Sequence, residues 1–132
     1  MNTLQYYDYD MEGVGFSPAM AASILGCELI DVHEPNSEAE LQRGVGWATF
    51  RMKEPSGFII FTEGDPHYSR MRQSVEKLRG IGMDRLQVVL GYHYRDQCNL
   101  DFDEVQIRAL AEIGGTLLIS CYDVSDGTEN RD

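Results

Sequence analysis

Three segments of the chain carry start and stop signals for short helices, and these signals limit the possible folds more than any other feature. Ser17-Pro18 and Asp65-Pro66 each combine a favoured N-cap residue with a proline at the first helical position. Asp101-x-x-Glu104 has the spacing of a capping box. Apolar residues follow each start at helical spacing, and glycines end each stripe. The pattern predicts one short helix after Pro18 and two further helices over residues 67–79 and 102–113.

The segments between these helices have the composition and periodicity of strands. Residues 4–11 alternate and are rich in tyrosine, which predicts a first strand with Tyr7 and Tyr9 directed to the core. A turn at residues 54–57 separates two further candidate strands and predicts that they form a hairpin. The predicted strands after the first cover residues 27–33, 45–53, 58–62, 86–94 and 116–122. The hairpin joins the strands at 45–53 and 58–62.

The order of these elements determines the predicted fold class. The succession β-α-β-β-β-α-β-α-β, with short turns between several strands, predicts an α+β fold. Its sheet is expected to be mixed or antiparallel, with about three helices packed mainly on one face. We expect a single α+β domain over residues 1–122 and a flexible acidic tail over residues 123–132.

The chain is strongly acidic, with a net charge of −11 that is unevenly distributed. Residues 67–85 carry five basic and two acidic side chains, whereas the segments before and after carry net charges of −8 and −6. Nucleic-acid binding through phosphates needs clustered Lys and Arg, and an anionic membrane surface repels an acidic chain, so neither is an expected partner. A basic protein partner fits the charge. The basic helix is expected to be structural or to support a homodimer.

Targeting signals and cysteine usage together predict a cytoplasmic protein. The longest purely apolar run, at residues 58–61, is far shorter than the roughly 20 residues of a membrane-spanning helix. The first five residues lack the basic and apolar regions of a signal peptide. Cys27, Cys98 and Cys121 form an odd, widely spaced set without a C-x-x-C pair, which predicts buried thiols in a reducing compartment.

No motif in the chain predicts catalysis, so we expect no enzyme activity, no metal and no cofactor. No cysteine lies in a local motif for nucleophilic catalysis with a histidine. Gly13-Val14-Gly15 lacks the lysine and the third glycine of a phosphate loop, and Gly80-Ile81-Gly82 follows a helix instead of preceding one. Two loose groups of potential metal ligands lack the paired spacing of a zinc site. These groups are Asp31 with His33, and His93 with Asp96 and Cys98.

Acidic and aromatic side chains are the candidates for partner contact. Aromatic residues supply rigid contact area at interfaces, and exposed carboxylates steer basic partners. The polar segment after the second predicted strand combines three carboxylates with no visible packing role, and loops of this kind often carry binding residues. The predicted partner-binding residues are Glu34, Glu38 and Glu40 in this loop, Asp8 and Asp10 on the first strand, and Tyr92, Tyr94 and Asp96 at the end of the fifth.

The chain resembles a group of small bacterial proteins of unknown function. The matching features are the tyrosine-rich first strand, the helix from Ser17-Pro18 to Gly26, and a C-terminal unit. That unit comprises residues 100–103, 110–114 and 117–122. Such small acidic proteins are similar to the immunity proteins that neutralise the secreted toxins of neighbouring cells. The resemblance implies an inhibitor whose acidic surface occupies a basic site on a toxin domain, often a nuclease, and it implies no catalytic residue.

Charge, missing catalytic motifs and this resemblance favour a cytoplasmic, non-catalytic binding protein of the immunity type. Two alternatives remain open at this stage. One is a small enzyme or ligand-binding domain with a pocket that the sequence does not reveal. The other is an acidic nucleic-acid mimic that blocks a DNA-binding protein.

Overall fold

The computed structural model describes residues 2–35, 44–53, 55 and 58–124. These residues form five strands and three helices around one mixed sheet, which confirms the α+β class. In chain order the elements are β1 (Asn2–Val14), α1 (Pro18–Leu25), β2 (Ile30–His33), β3 (Val45–Arg51), α2 (Pro66–Gly80), β4 (Arg85–Tyr94), α3 (Glu104–Glu112) and β5 (Thr116–Asp123). Asp123 therefore belongs to β5, and residues 125–132 of the predicted tail lie outside the described part. None of the described helices has the length and apolar character needed to span a bilayer.

The predicted caps start the first two helices. The Ser17 side chain accepts a hydrogen bond from the backbone N–H of Met20 at 3.3 Å. The Asp65 side chain accepts from the backbone N–H groups of His67 and Tyr68 at 2.9 and 3.0 Å. These bonds satisfy donors that have no partner within the helix, and the prolines occupy first-turn positions where no N–H is needed.

The capping box of α3 lies two residues later than predicted. Asp103 accepts from the backbone N–H of Gln106, and the Gln106 side chain accepts from that of Asp103, both at 2.9 Å. The prediction of a box at Asp101 and Glu104 is therefore wrong. Both aspartates have a suitable residue three positions on, so local pattern alone does not separate them. A hydrogen bond to a distant residue separates them, because the Gln106 side-chain amide also donates to the buried carbonyl of Ile60 at 3.1 Å.

The strands are arranged in the order β2-β3-β1-β4-β5, with β1 at the centre. The β2–β3, β3–β1 and β1–β4 pairs are antiparallel, and β4 and β5 are parallel. A parallel neighbour requires a crossover, which the segment containing α3 provides. β3 is paired on both edges, so it has no free edge for another strand.

The predicted strand over residues 58–62 is wrong for this reason, and the hairpin with β3 does not form. Residues 58–65 make a series of turns. Phe61 has a φ of 61°, which is incompatible with a strand, and its backbone N–H donates to the Asp65 carboxylate at 2.8 Å. The side chains of Ile60 and Phe61 are nevertheless buried. Their apolar character therefore predicted burial correctly and backbone conformation wrongly.

One face of the sheet packs against the helices, and we call it the covered face. Tyr7, Tyr9 and Met11 of β1 point to it and are almost fully buried. Helix residues complete the core, which confirms the predicted packing on one face. They include Ala21 and Leu25 of α1, Met71, Val75 and Leu78 of α2, and Ala109 and Leu110 of α3.

The basic residues of α2 join the helices to one another. A guanidinium N–H of Arg70 donates to the carbonyl of Leu25 at the end of α1. Arg79 donates to the carbonyl of Ile113, just after α3, at 2.7 Å, and Arg72 forms an ion pair with Glu112 at 3.2 Å. Cations at helix C-termini interact favourably with the unpaired carbonyls there. These contacts give the basic helix a structural role, which is one of the two alternatives predicted for it.

Candidate functional site

The face of the sheet opposite the helices, here called the open face, carries the charged residues of β1. Asp8, Asp10 and Glu12 alternate with the buried tyrosines and therefore point to this face. Residues paired directly across strands lie on the same face. The partners of the three carboxylate residues are Arg51 and Val89 for Asp8, Thr49 and Gln87 for Asp10, and Trp47 and Arg85 for Glu12.

One half of the open face is closed by its own side chains, which we call the Arg51 cluster: Tyr6, Asp8, Arg51, Gly91 and Tyr122. Arg51 binds the Asp8 carboxylate through two N–H groups at 2.8 and 2.7 Å, and this bond raises the pKa of Arg51. The guanidinium lies 5.5 Å from the centre of the Tyr6 ring. That ring covers Gly91, and its hydroxyl lies 3.2 Å from that of Tyr122. Asp8 is only 4% exposed, so its carboxylate serves this cluster and is closed to a partner.

The other half of the open face contains a cavity of about 470 Å³. We call it the Trp47 cavity. Trp47 is 44% exposed, and its ring stacks on that of His33 with centres 4.1 Å apart. The open-face side chains that line the cavity are Asp10, Glu12, Trp47, Thr49, Arg85, Gln87 and Thr116, and Asp84, just before β4, also lines it.

The carboxylates of this cavity differ in how well they are paired. Asp10 accepts a hydrogen bond from the Thr49 hydroxyl at 2.8 Å. Burial is the main reason that the pKa of Asp10 is raised, and the nearby charge of Asp8 adds to it. Glu12 forms an exposed ion pair with Arg85 at 3.7 Å. A half-buried carboxylate with a raised pKa is stabilised in its charged form by an added cation. The cavity therefore favours a positively charged group.

Apolar side chains extend the open face beyond the cavity. Leu118 is paired with Val89, Tyr122 with His93, and Ile30 with Thr49, so all three exposed residues belong to this face. Ile30 lies on one edge strand of the sheet, Leu118 and Tyr122 lie on the other, and Trp47 lies between them beside the polar side chains of the cavity. Exposed apolar area of this kind, bordered by polar residues, is typical of interaction sites.

Among the predicted residues of the acidic loop, Glu34 has a structural role. Its two carboxylate oxygens accept from the Ser17 hydroxyl at 3.1 Å and from the backbone N–H of Ala19 at 2.9 Å. A carboxylate at a helix N-terminus stabilises the unpaired donors and the helix dipole. The prediction that this residue has no packing duty is therefore wrong. Glu38 and Glu40 lie outside the described residues.

The predicted residues at the end of β4 do not join the Trp47 cavity. Tyr92 alternates with the buried Val88 and Leu90, so it points to the covered face, where burial raises its pKa. Tyr94 has the same parity and is half-buried. Asp96 is exposed, with a φ of 70°, in the loop that follows. Of the predicted residues in the described part, only Asp8 and Asp10 lie together on the open face.

A second polar cluster lies inside the core, where Tyr7, Tyr9, Asp65 and His67 meet. The Tyr7 hydroxyl donates to Asp65 and lies 2.8 Å from that of Tyr9. His67 Nε2 lies 3.0 Å from the carbonyl of Phe50, and burial lowers the pKa of His67 to about 4. These are residue types found in active sites, but all four are at most 3% exposed and none lines the Trp47 cavity. A substrate has no access to them, so we interpret the cluster as structural.

No family model, curated protein or solved structure matches the chain. The resemblance to bacterial immunity proteins therefore stays a prediction. Among the described residues, no group of three or more His, Cys, Asp or Glu side chains could hold a metal ion.

Proposed function

We propose that the protein is a non-catalytic, cytoplasmic binding protein that holds a basic protein partner on its open face, as an inhibitor of the immunity type would hold a toxin domain. The observation that carries the proposal is the position of Trp47. Its half-exposed ring borders a cavity lined by carboxylates, on a sheet face that the described helices leave uncovered.

The exposed apolar side chains of the open face supply the contact area for such a partner. Binding energy at protein interfaces is concentrated in a few aromatic residues that are surrounded by polar groups. Trp47 has this setting, because Thr49, Gln87 and the carboxylates surround a large apolar ring. Stacking on His33 holds the ring in place before the partner arrives, which reduces the entropy lost on binding.

The charges of the cavity select a basic partner. The charged residues that line the cavity are Asp10, Glu12, Asp84 and Arg85, which together have a formal net charge of −2. A lysine or arginine side chain of the partner would neutralise Asp10 and contact the face of the Trp47 ring. A cation over an aromatic ring contributes about 0.5–2 kcal/mol, depending on how far it is removed from water.

A ligand-binding domain is the second candidate, since the cavity volume of about 470 Å³ is that of a small-molecule site. The charges then specify a small organic cation. The nucleic-acid mimic is disfavoured, because Arg51 and Arg85 neutralise two of the three β1 carboxylates that would have to imitate phosphates.

The test is co-expression of the chain with the product of the neighbouring gene, followed by co-purification and calorimetry. Trp47→Ala is expected to weaken binding at least about thirtyfold, the loss typical of an interface hot spot. Val105→Ala on α3 is the matched control, because Val105 is also exposed and apolar but lies away from the open face. Equal affinity of both variants and the wild type would refute the open face as the binding surface.

Salt dependence tests the charge argument separately. Exposed charges are screened over about 10 Å at 0.1 M salt, so the association rate should fall steeply between low and physiological ionic strength. Glu12→Gln should reduce the slope. Association that is insensitive to salt would remove the basic partner from the proposal.

A further inference from the structure

Two cysteines lie side by side at the end of the sheet. Cys121 is on the edge strand β5, and Cys98 is in the loop between β4 and α3. Their Sγ atoms are 3.0 Å apart. Cys121 is exposed and Cys98 is half-buried, so the prediction of buried thiols is wrong for Cys121. Its apolar neighbours Leu117 and Ile119 pack on the core, whereas Cys121 lies near the end of the strand.

We propose that Cys98 and Cys121 are a redox modification site, where a reversible intramolecular disulfide forms. The two sulfurs already lie in contact, and a disulfide shortens their separation to about 2.05 Å. That change is small enough for side-chain rotation and a slight movement of the loop. Cys27, after the end of α1, is the remaining cysteine and serves as an internal reference.

A small organic disulfide, such as oxidised glutathione, is the oxidant class that suits this site. The exposed Cys121 thiol loses its proton to water and attacks one sulfur of the small disulfide, which releases one small thiolate. The Cys98 thiol then loses its proton and attacks Cys121 in the mixed disulfide, which releases the second. In total, two protein thiols are oxidised and one small disulfide is reduced to two thiols.

The hydrogen bond between the two thiols raises the pKa of Cys98, so the Cys98 thiol is not held as a reactive thiolate. The folded structure contributes proximity instead, and proximity favours the intramolecular step over a lasting mixed disulfide. The bond would close a ring that contains all of α3 and would tie the loop at residues 95–103 to β5. Such a constraint reduces the freedom of the unfolded chain and raises the melting temperature.

The test is a titration of the purified full chain with mixtures of oxidised and reduced glutathione, followed by alkylation and peptide mass spectrometry. A linked Cys98–Cys121 peptide is expected, while Cys27 remains alkylated. The same chain in urea should need a ratio of oxidised to reduced glutathione about tenfold higher or more, because the fold no longer holds the thiols together. Stable mixed disulfides at either cysteine, or two alkylated thiols throughout the range, would overturn the proposal.

Serine variants provide the controls. Cys98→Ser and Cys121→Ser should each retain one glutathione and form no link, whereas Cys27→Ser should behave as the wild type. Oxidation is expected to raise the melting temperature of the wild type and Cys27→Ser by several degrees and to leave that of Cys98→Ser unchanged. An equal shift in Cys98→Ser would show that the stabilisation does not come from this disulfide.

Discussion

The two faces of β1 use carboxylates in opposite ways. On the covered face, Asp65 is fully buried and accepts from four donors: the Tyr7 hydroxyl and the backbone N–H groups of Phe61, His67 and Tyr68. On the open face, the half-buried Asp10 accepts from a single donor among the described residues, the Thr49 hydroxyl. The comparison teaches that the number of hydrogen-bond donors around a carboxylate distinguishes a structural carboxylate from one that can still bind a partner.

The largest effect is expected for Asp65→Ala, which removes the acceptor shared by four buried donors. The free energy of unfolding should fall by about 3 kcal/mol or more, since each unsatisfied buried donor costs about 1–3 kcal/mol. Urea unfolding measures the loss. Asp65→Asn keeps one side-chain oxygen as an acceptor and should lose less. A loss below about 1 kcal/mol for Asp65→Ala would contradict the structural role.

Acid should destabilise the covered face through His67. Its pKa is about 4 in the folded chain and about 6.5 when unfolded, so the unfolded state binds the extra proton between these values. The free energy of unfolding therefore falls as pH decreases from 6.5 to 4, by about 3 kcal/mol at about 1.4 kcal/mol per pKa unit. Carboxylates titrate in part of this range, so the wild type is compared with His67→Gln. Parallel pH profiles of the two proteins would contradict the prediction.

Gly91→Ala should destabilise the protein, because the closed half of the open face is tightly packed. A Cβ at this position would lie 2.1 Å from the Tyr6 ring, which must then move away from Arg51. We expect a loss of about 1–3 kcal/mol, the usual cost of overpacking. Combination with Tyr6→Ala should recover most of it, as measured by a double-mutant cycle. Gly80→Ala is the matched control, because a Cβ on Gly80 has no neighbour within 4 Å.

The smallest effect on stability is expected for Asp10→Asn. The raised pKa means that the folded state disfavours the charged carboxylate, so the stability contributed by Asp10 is present at low pH and lost as pH rises. At neutral pH the neutral amide should leave the free energy of unfolding within about 1 kcal/mol of the wild type or raise it slightly. Partner affinity should fall. A loss of stability comparable to that of Asp65→Ala would erase the distinction between the two faces.

Local signals in the sequence predicted the two faces and most elements. Alternation in β1 separated the tyrosines from the carboxylates, because side chains of a strand point to opposite faces in turn. Caps and glycines located α1 and α2 closely. The failures at residues 58–62 and at Asp101 have a common cause. In both cases a local pattern allowed two structures, and the choice depended on pairing or on a hydrogen bond with a distant part of the chain.

The candidate site was predicted only in part. Asp8 and Asp10 were predicted as partner-binding residues from their position on the first strand, and of the two only Asp10 lines the Trp47 cavity. The sequence did not show that Arg51 neutralises Asp8, since 43 positions separate them. Glu34 appeared to be a loop residue, although it caps α1 across a gap of 15 residues. Trp47 was missed as a binding residue. A single tryptophan at an alternate position of a predicted strand was the available signal, but its face depends on the register with β1.

The central position of β1 has a consequence for synthesis of the chain. β1 precedes both β3 and β4, the two strands with which it pairs, and among the described elements β4 is followed by α3 and β5. A nascent chain therefore presents its tyrosine-rich strand on the ribosome long before either neighbour has emerged from the exit tunnel. Assembly of the sheet waits for contacts between distant parts of the chain, which fold slowly. Until then, the aromatic strand has no partner strand, and transiently exposed apolar surface of this kind favours aggregation.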